Sequence, residues 1–238
     1  MRLDRHGLIY NGIDLRGFGV YVSGEGSWAK PAPEFEKVSV PGRSGDLITY
    51  NKRYSNVDIV YRLGIVKNFN ANFGDLVDAL LSDPGYHRLE DTSHPGEYRI
   101  AMIESEIEPS MTPRNLAGEF DVTFNCKPQV YLTSGELSTA FTASGSIFNP
   151  TRFDASPLIR VYGNGTLSVA GSAIGFSDNT GYTDLDCDLE DAFYGAENRN
   201  SRVTMETGEF PRLKPGVNTI QLESGISRVE ITPRWWRL

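Results

Sequence analysis

Residues 40–47 read VPGRSGDL, a turn set between two extended segments. Pro41 presets φ, while Gly42 and Gly45 can reach positive φ values that other residues avoid. Beyond it the chain alternates. Val57, Ile59, Tyr61, Leu63 and Ile65 fall on one side of a strand, and Asp58, Val60, Arg62, Gly64 and Val66 on the other. A turn of fixed path leading into a period-two segment commits this region to β-structure and offers no nucleophile with its base. The spacing predicts that residues 47–50 pair with the alternating strand across 51–56 as a long hairpin. Two strands alone are marginal in water, so such a hairpin needs a surface from its own domain or from a neighbouring subunit.

The remainder of the first region is β-rich with one helix. Phe73, Leu76, Val77, Leu80 and Leu81 carry the apolar stripe of a helix over 70–82. Asn70 or Asn72 is its expected cap, Pro84-Gly85 its end, and covering a sheet its expected role. Extended segments are expected at 98–107 and 119–131, the second alternating through Phe120, Val122 and Phe124. The stretch 134–150, SGELSTAFTASGSIFNP, holds Glu136 as its only charge. It reads as a boundary or as a polar edge strand with weak register. From 153 onward short strands follow one another at close spacing. Gly163-Asn164-Gly165 signals a hairpin between 159–162 and 166–169, and Pro215-Gly216 a turn ahead of 218–222. With 24 glycines and 13 prolines in 238 residues, that punctuation suits a mainly β chain. The expected domains are 1–133, with the long hairpin and the helix, and 134–238, a β-sandwich.

The chain carries a net charge of −8 and has no dense Lys/Arg cluster, which argues against stable nucleic-acid binding. The acidic surplus reads as solubility, or more sharply as a channel wall past which DNA slides. Arg2, Asp4, Arg5 and His6 have no apolar core behind them, so neither a signal peptide nor membrane insertion is expected. Cys126 and Cys187 lie in different halves and are expected to be buried free thiols.

Chemical constellations are sparse. Asp184, Asp186 and Asp188 resemble the start of a calcium loop, but its sixth and twelfth positions hold Leu189 and Gly195. The acids therefore read as a solvated strand face. Glu104, Glu106 and Glu108 share one face if their segment is extended, as on any exposed strand, although paired carboxylates also invite a glycosidase reading. His6, His87 and His94 lack metal-ligand spacing. No G-x-S-x-G, Walker or G-x-G-x-x-G string occurs, and Gly24-Glu25-Gly26 lacks a following helix. No catalytic, cofactor-binding or metal residue is assigned, no cofactor is expected, and the chain is read as a non-enzyme. Trp235 and Trp236 stand between Arg234 and Arg237. As neighbours on a strand they face opposite ways, one indole into the core and the other towards a subunit or partner. Arg43 either bridges to a neighbouring subunit or serves its own turn.

Three blocks, IYNGIDLRGFGVYVSG (9–24), VPGRSGDL (40–47) and ITPRWWRL (231–238), resemble the distal tail proteins of siphophages. YGNGTLSV (162–169), DLDCDLEDAF (184–193) and GEFPRLKPGVNTI (208–220) extend the resemblance in the family's order. It implies an α+β ring-forming N-terminal domain and a C-terminal galectin-like jelly roll. It further implies a ring of six copies at the distal end of a long non-contractile tail. DNA would pass through the centre, and the C-terminal domains would project outward. The implied partners are the chain itself, the tail tube protein, the tail-associated fibre or lysin protein and receptor-binding proteins. The implied place is the virion tail tip or baseplate, assembled in the host cytoplasm. The alternative is a carbohydrate-binding module contacting the host cell wall, which requires exposed aromatic rings and convergent polar groups on one face.

Overall fold

Residues 6–23, 29–112 and 116–238 are described by a computed structural model. Arg2, Asp4, Arg5 and the Gly24-Glu25-Gly26 string lie outside the described residues. By their internal contacts the residues fall into two units, Met1–Val130 with Leu238, and Tyr131–Arg237.

The first unit contains β1 (Leu8–Tyr10), β2 (Ile13–Asp14), β3 (Val20–Val22), β4 (Pro33–Val38), β5 (Leu47–Tyr54) and β6 (Val57–Ile65). Helix α1 (Phe69–Leu81), β7 (His87–Asp91), β8 (Glu97–Ile103), β9 (Pro109–Met111) and β10 (Gly118–Leu132) follow. The main sheet runs β2-β1-β7-β8-β10-β6-β3. The predicted alternation is borne out: Val57, Ile59, Tyr61, Leu63 and Ile65 are buried. Across the β6–β10 ladder, Ile59, Tyr61 and Leu63 face Phe124, Val122 and Phe120, so large apolar pairs line the core side of both strands.

Helix α1 closes that core with Phe69, Leu76 and Leu80 buried, and Phe69 and Phe73 both pack near Phe120. Its start differs from the expected cap. Asn68 is the N-cap, left-handed at φ 52°, and makes no capping bond through its side chain. The Asn72 amide instead donates to the carbonyl of Lys67. The helix begins one residue earlier than read, at Phe69, which joins the apolar stripe, and Leu81 is exposed.

Two expectations in this unit are corrected. β5 pairs with β4 and not with β6. Both edges of β6 are occupied, by β3 on one side and β10 on the other, so β5 must find its partner elsewhere. VPGRSGDL is thus the tip of a β4–β5 arm rather than the start of a β5–β6 hairpin. Secondly, Glu104, Glu106 and Glu108 share no strand face: β8 ends at Ile103, and residues 104–108 are irregular.

The second unit is a sandwich of two antiparallel sheets. Its strands are β11 (Thr139–Phe141), β12 (Gly145–Asn149), β13 (Leu158–Gly163), β14 (Gly165–Val169), β15 (Ser172–Phe176) and β16 (Thr183–Asp186). Then come β17 (Asp191–Tyr194), β18 (Glu197–Asn198), β19 (Val203–Met205), β20 (Gly216–Leu222) and β21 (Ile226–Thr232). One sheet runs β11-β21-β13-β16-β17-β18 and the other β12-β20-β14-β15-β19. Ile159, Val161, Leu167, Val169, Ile174, Ile220, Val229 and Ile231 fill the space between them. The low-charge stretch 134–150 supplies an edge strand to each sheet, β11 and β12.

Gly163-Asn164-Gly165 does not make a hairpin, because β13 and β14 belong to different sheets. The chain changes sheet there. Gly163 and Gly165 take φ of 103° and 144°, and a Cβ on either would strike the carbonyl of Gly225 or Ser224. Two backbones cross so closely at this corner that only glycine fits. The segment entering the unit is tied to the segment leaving it: Leu132 N–H donates to Trp235 O at 2.9 Å, and Arg234 N–H to Gly135 O at 2.8 Å.

Cys126 and Cys187 are buried and free, as expected. Burial pushes the Cys126 thiol up to about 11 and the Cys187 thiol further. Among the described residues no helix is long and apolar enough to cross a membrane.

Candidate assembly surface

The β4–β5 arm is a two-stranded ribbon whose ladder sets Phe35 opposite Tyr50, Lys37 opposite Ile48 and Val38 opposite Leu47. Successive residues point to opposite faces. Phe35, Tyr50 and Ile48 therefore share one face, and Val38 and Leu47 the other. All five are exposed, with Ile48 at 59% and Leu47 at 52%. Phe35 and Tyr50 meet at 5.3 Å between ring centroids, and an Arg53–Glu34 ion pair of 3.1 Å braces the base. Fully burying one such aliphatic or aromatic side chain is worth about 1.5–3 kcal/mol. An arm bearing five of them bare, on both faces, is a surface built for contact.

At the tip, Gly42 and Gly45 take positive φ of 79° and 87°, as their expected role requires. The Arg43 N–H closes the turn on Val40 O at 3.1 Å. The turn uses the backbone of Arg43, and its side chain lies exposed.

The other sequence candidates separate. Glu106 and Glu108 line a surface cavity of about 440 Å³ with Arg62, Glu119 and Asp121. Arg62 is held there by Glu119 at 2.7 Å, and Ser105, Ser110 and Thr123 complete the polar lining. His6, Ser93 and His94 gather around Asp91, which contacts His6 Nε2 at 2.6 Å and accepts from Ser93 Oγ at 2.7 Å and Tyr61 OH at 2.9 Å. Burial alone would raise the Asp91 carboxyl, but the bonds from Ser93 and Tyr61 and the nearby His6 hold it below the usual range. The Ser93 hydroxyl also lies 2.9 Å from His94 Nδ1, so its one proton is shared between acid and ring, and through Tyr61 the cluster braces β7 to β6. His87 lies apart, its Nε2 2.8 Å from Asp83 O. No group of three or more His, Cys, Asp or Glu among the described residues is placed to hold a metal ion.

Asp184 and Asp186 are not on a solvated face. Both are 4% exposed. Asp184 receives a two-pronged contact from Arg160 at 2.7 and 2.8 Å, and Asp186 one from Arg234 at 2.7 and 2.8 Å. Asp188 alone keeps the exposed position read for the trio. Trp235 enters the core as expected. The Trp236 indole is occupied within its own unit: it stacks on Phe153 at 4.5 Å, and its Nε1–H donates to Asp154 O at 2.9 Å. Sequence reasoning missed the arm's true pairing and the arginine partners of the two aspartates.

The chain is similar throughout to the crystal structure of SPP1 Dit (gp 19.1), described as a paradigm of the hub adsorption apparatus in phages that infect Gram-positive bacteria. The TM-score is 0.75 at 16% identity, over 98% of this chain and 99% of that one. It also resembles a chain of the phage P2 baseplate in its activated conformation with Ca, with TM-score 0.51 at 12% identity, over 96% of this chain and 98% of that one. No family model matches the chain, and no curated protein does. The fold is mainly β with one helix and is shared with SPP1 Dit over nearly the whole chain.

Proposed function

We propose that this chain is a structural hub at the distal end of a long non-contractile phage tail, acting by assembly and not by catalysis. Copies of the first unit close into a ring of six, each lending its β4–β5 arm to a neighbour. The ring joins the tail tube protein above to the tail-associated fibre or lysin protein below. The second unit faces outward, where receptor-binding proteins can mount. DNA crosses the central opening without stable binding, in keeping with a net charge of −8. The ring is built in the host cytoplasm and ends in the virion tail tip.

One observation carries this reading. The arm exposes apolar side chains on both faces, and a closed ring covers an arm on both sides where a free monomer covers neither. Light scattering coupled to size exclusion tests it. The expected species is a closed oligomer of six 26.4 kDa chains, alone or once the tube protein is added. A strict monomer at high concentration, with and without the tube protein, overturns the ring.

A further inference from the structure

The β4–β5 ladder runs regularly from Val38 opposite Leu47 to Phe35 opposite Tyr50, and its last pair is Pro33 with Tyr54. Between those two pairs Glu34 stands alone on β4 against Asn51, Lys52 and Arg53 on β5. β5 therefore carries a two-residue bulge, which bends the ribbon and increases its twist. Lys52, inside the bulge, is left-handed at φ 56°, a conformation that residues other than Gly, Asn, Asp and His rarely take. Two contacts span the bulge: the Arg53–Glu34 ion pair at 3.1 Å and a side-chain hydrogen bond between Tyr50 and Tyr54. Below it the root of the arm is fixed. Ser55 N–H donates to Ala32 O at 3.2 Å, and Asn56 Nδ2 donates to Tyr86 OH and to Asn125 Oδ1, each at 2.7 Å.

We propose that this bulge is the positioning device of the arm, setting the angle at which the ribbon leaves its own subunit and so which surface of a neighbouring copy it meets. This role rests on the ring described above. Bulges often accommodate packing beneath them, but residues 47–53 are all exposed, so no packing within the subunit requires the bend. A strained backbone on a bare ribbon is the mark of a strand that must be aimed. The number of extra residues matters too. One would turn every side chain beyond it to the opposite face. Two keep the alternation in phase, so Tyr54, Tyr50 and Ile48 stay on one face. The ribbon changes direction without changing what either face presents.

The test removes the bend and keeps the contacts. Deleting Asn51 and Lys52 sets Arg53 opposite Glu34 in an unbroken ladder and leaves the five apolar side chains on their faces. Lys52→Gly keeps the bulge and relieves its strain. Lys52→Ile, whose branched side chain resists a left-handed backbone, is a second route to a straight arm should the deletion fail to fold. Nitroxides on Ser44→Cys at the tip and Asp78→Cys on α1, both exposed, report the angle by pulsed electron resonance. The full chain is used, diluted with unlabelled protein, and the native Cys126 and Cys187 are buried. Light scattering coupled to size exclusion, with the tube protein present, reports the particle. The deletion should move the tip-to-helix distance by about 5 Å or more, since roughly 7 Å of strand path is removed. It should also abolish the closed particle or change its copy number, while Lys52→Gly matches wild type in both readouts. A distance unmoved in both the deletion and Lys52→Ile, or a moved distance with the wild-type particle intact, overturns the role of the bulge and spares the ring. A wild-type chain that stays monomeric with the tube protein overturns the ring and this role together.

Discussion

The Asp186 carboxylate faces the Arg234 guanidinium through two bonds of 2.7 and 2.8 Å and accepts the N–H groups of Asp188 and Leu189 at 3.0 and 3.1 Å. Burial alone would push this carboxyl up, but Arg234 and the two amides reverse that and hold it below the usual carboxylate range. A carboxyl lowered in the folded state stabilises the fold above its unfolded pKa of about 3.9, and loses that contribution as pH falls through the folded value. Arg234→Met leaves the acid buried and unpaired, so it should cost about 3 kcal/mol at pH 7. At this chain length that is a Tm fall of about 6–12 °C. The gap between variant and wild type should narrow below about pH 4, where protonation relieves the unpaired acid in the variant. Circular-dichroism melts at pH 7 and pH 3 check this, and an equal gap at both would remove the ion pair as the cause. The sequence could not reveal the pairing. Asp184 and Asp186 alternate with Leu185 and Cys187 as on an exposed strand, and their arginines lie 24 and 48 residues away. Only the β13–β16 ladder and the turn at Arg234 bring them together.

Among the elements, the arm separates contact from stability. Ile48 is exposed within its own subunit, so Ile48→Asp should change the subunit's stability by no more than about 0.5 kcal/mol. The same change should shift the particle towards monomer. Arg43→Ala leaves the N–H that closes the turn and should likewise spare the Tm while weakening the ring. A Tm fall with unchanged particle mass, read by melting and light scattering on one sample, would assign both residues to their own subunit. The arm was half legible. The tip and its two glycines read correctly from VPGRSGDL. The partner strand did not, because PEFEKV opens with a proline and alternates glutamates with apolar residues too briefly to signal a strand. The β6 alternation and the helix stripe were plain because each buries one full face. The Asn68 cap was hidden because its geometry comes from the backbone and not from a side-chain bond.

On the scale of the whole molecule, the mainly β class and the single helix were readable from turn spacing and periodicity. The change of sheet at Gly163–Gly165 was not, since a glycine-rich corner and a hairpin turn use the same residues. We expect a digest with dilute proteinase K to cut first within 39–46, where every residue from 39 to 46 is exposed. The stretch 134–150 should resist longer, being bonded into two sheets. Mass spectrometry of early fragments decides, and a first cut inside 134–150 would show a loose linker there. The lacing of residues 132–135 to residues 234–235 also has an evolutionary side. The sandwich begins and ends at almost the same point, so it is a cassette with its two splice sites side by side. Exchange of the cassette between genomes would replace the whole sandwich while leaving the chemistry of the arm untouched.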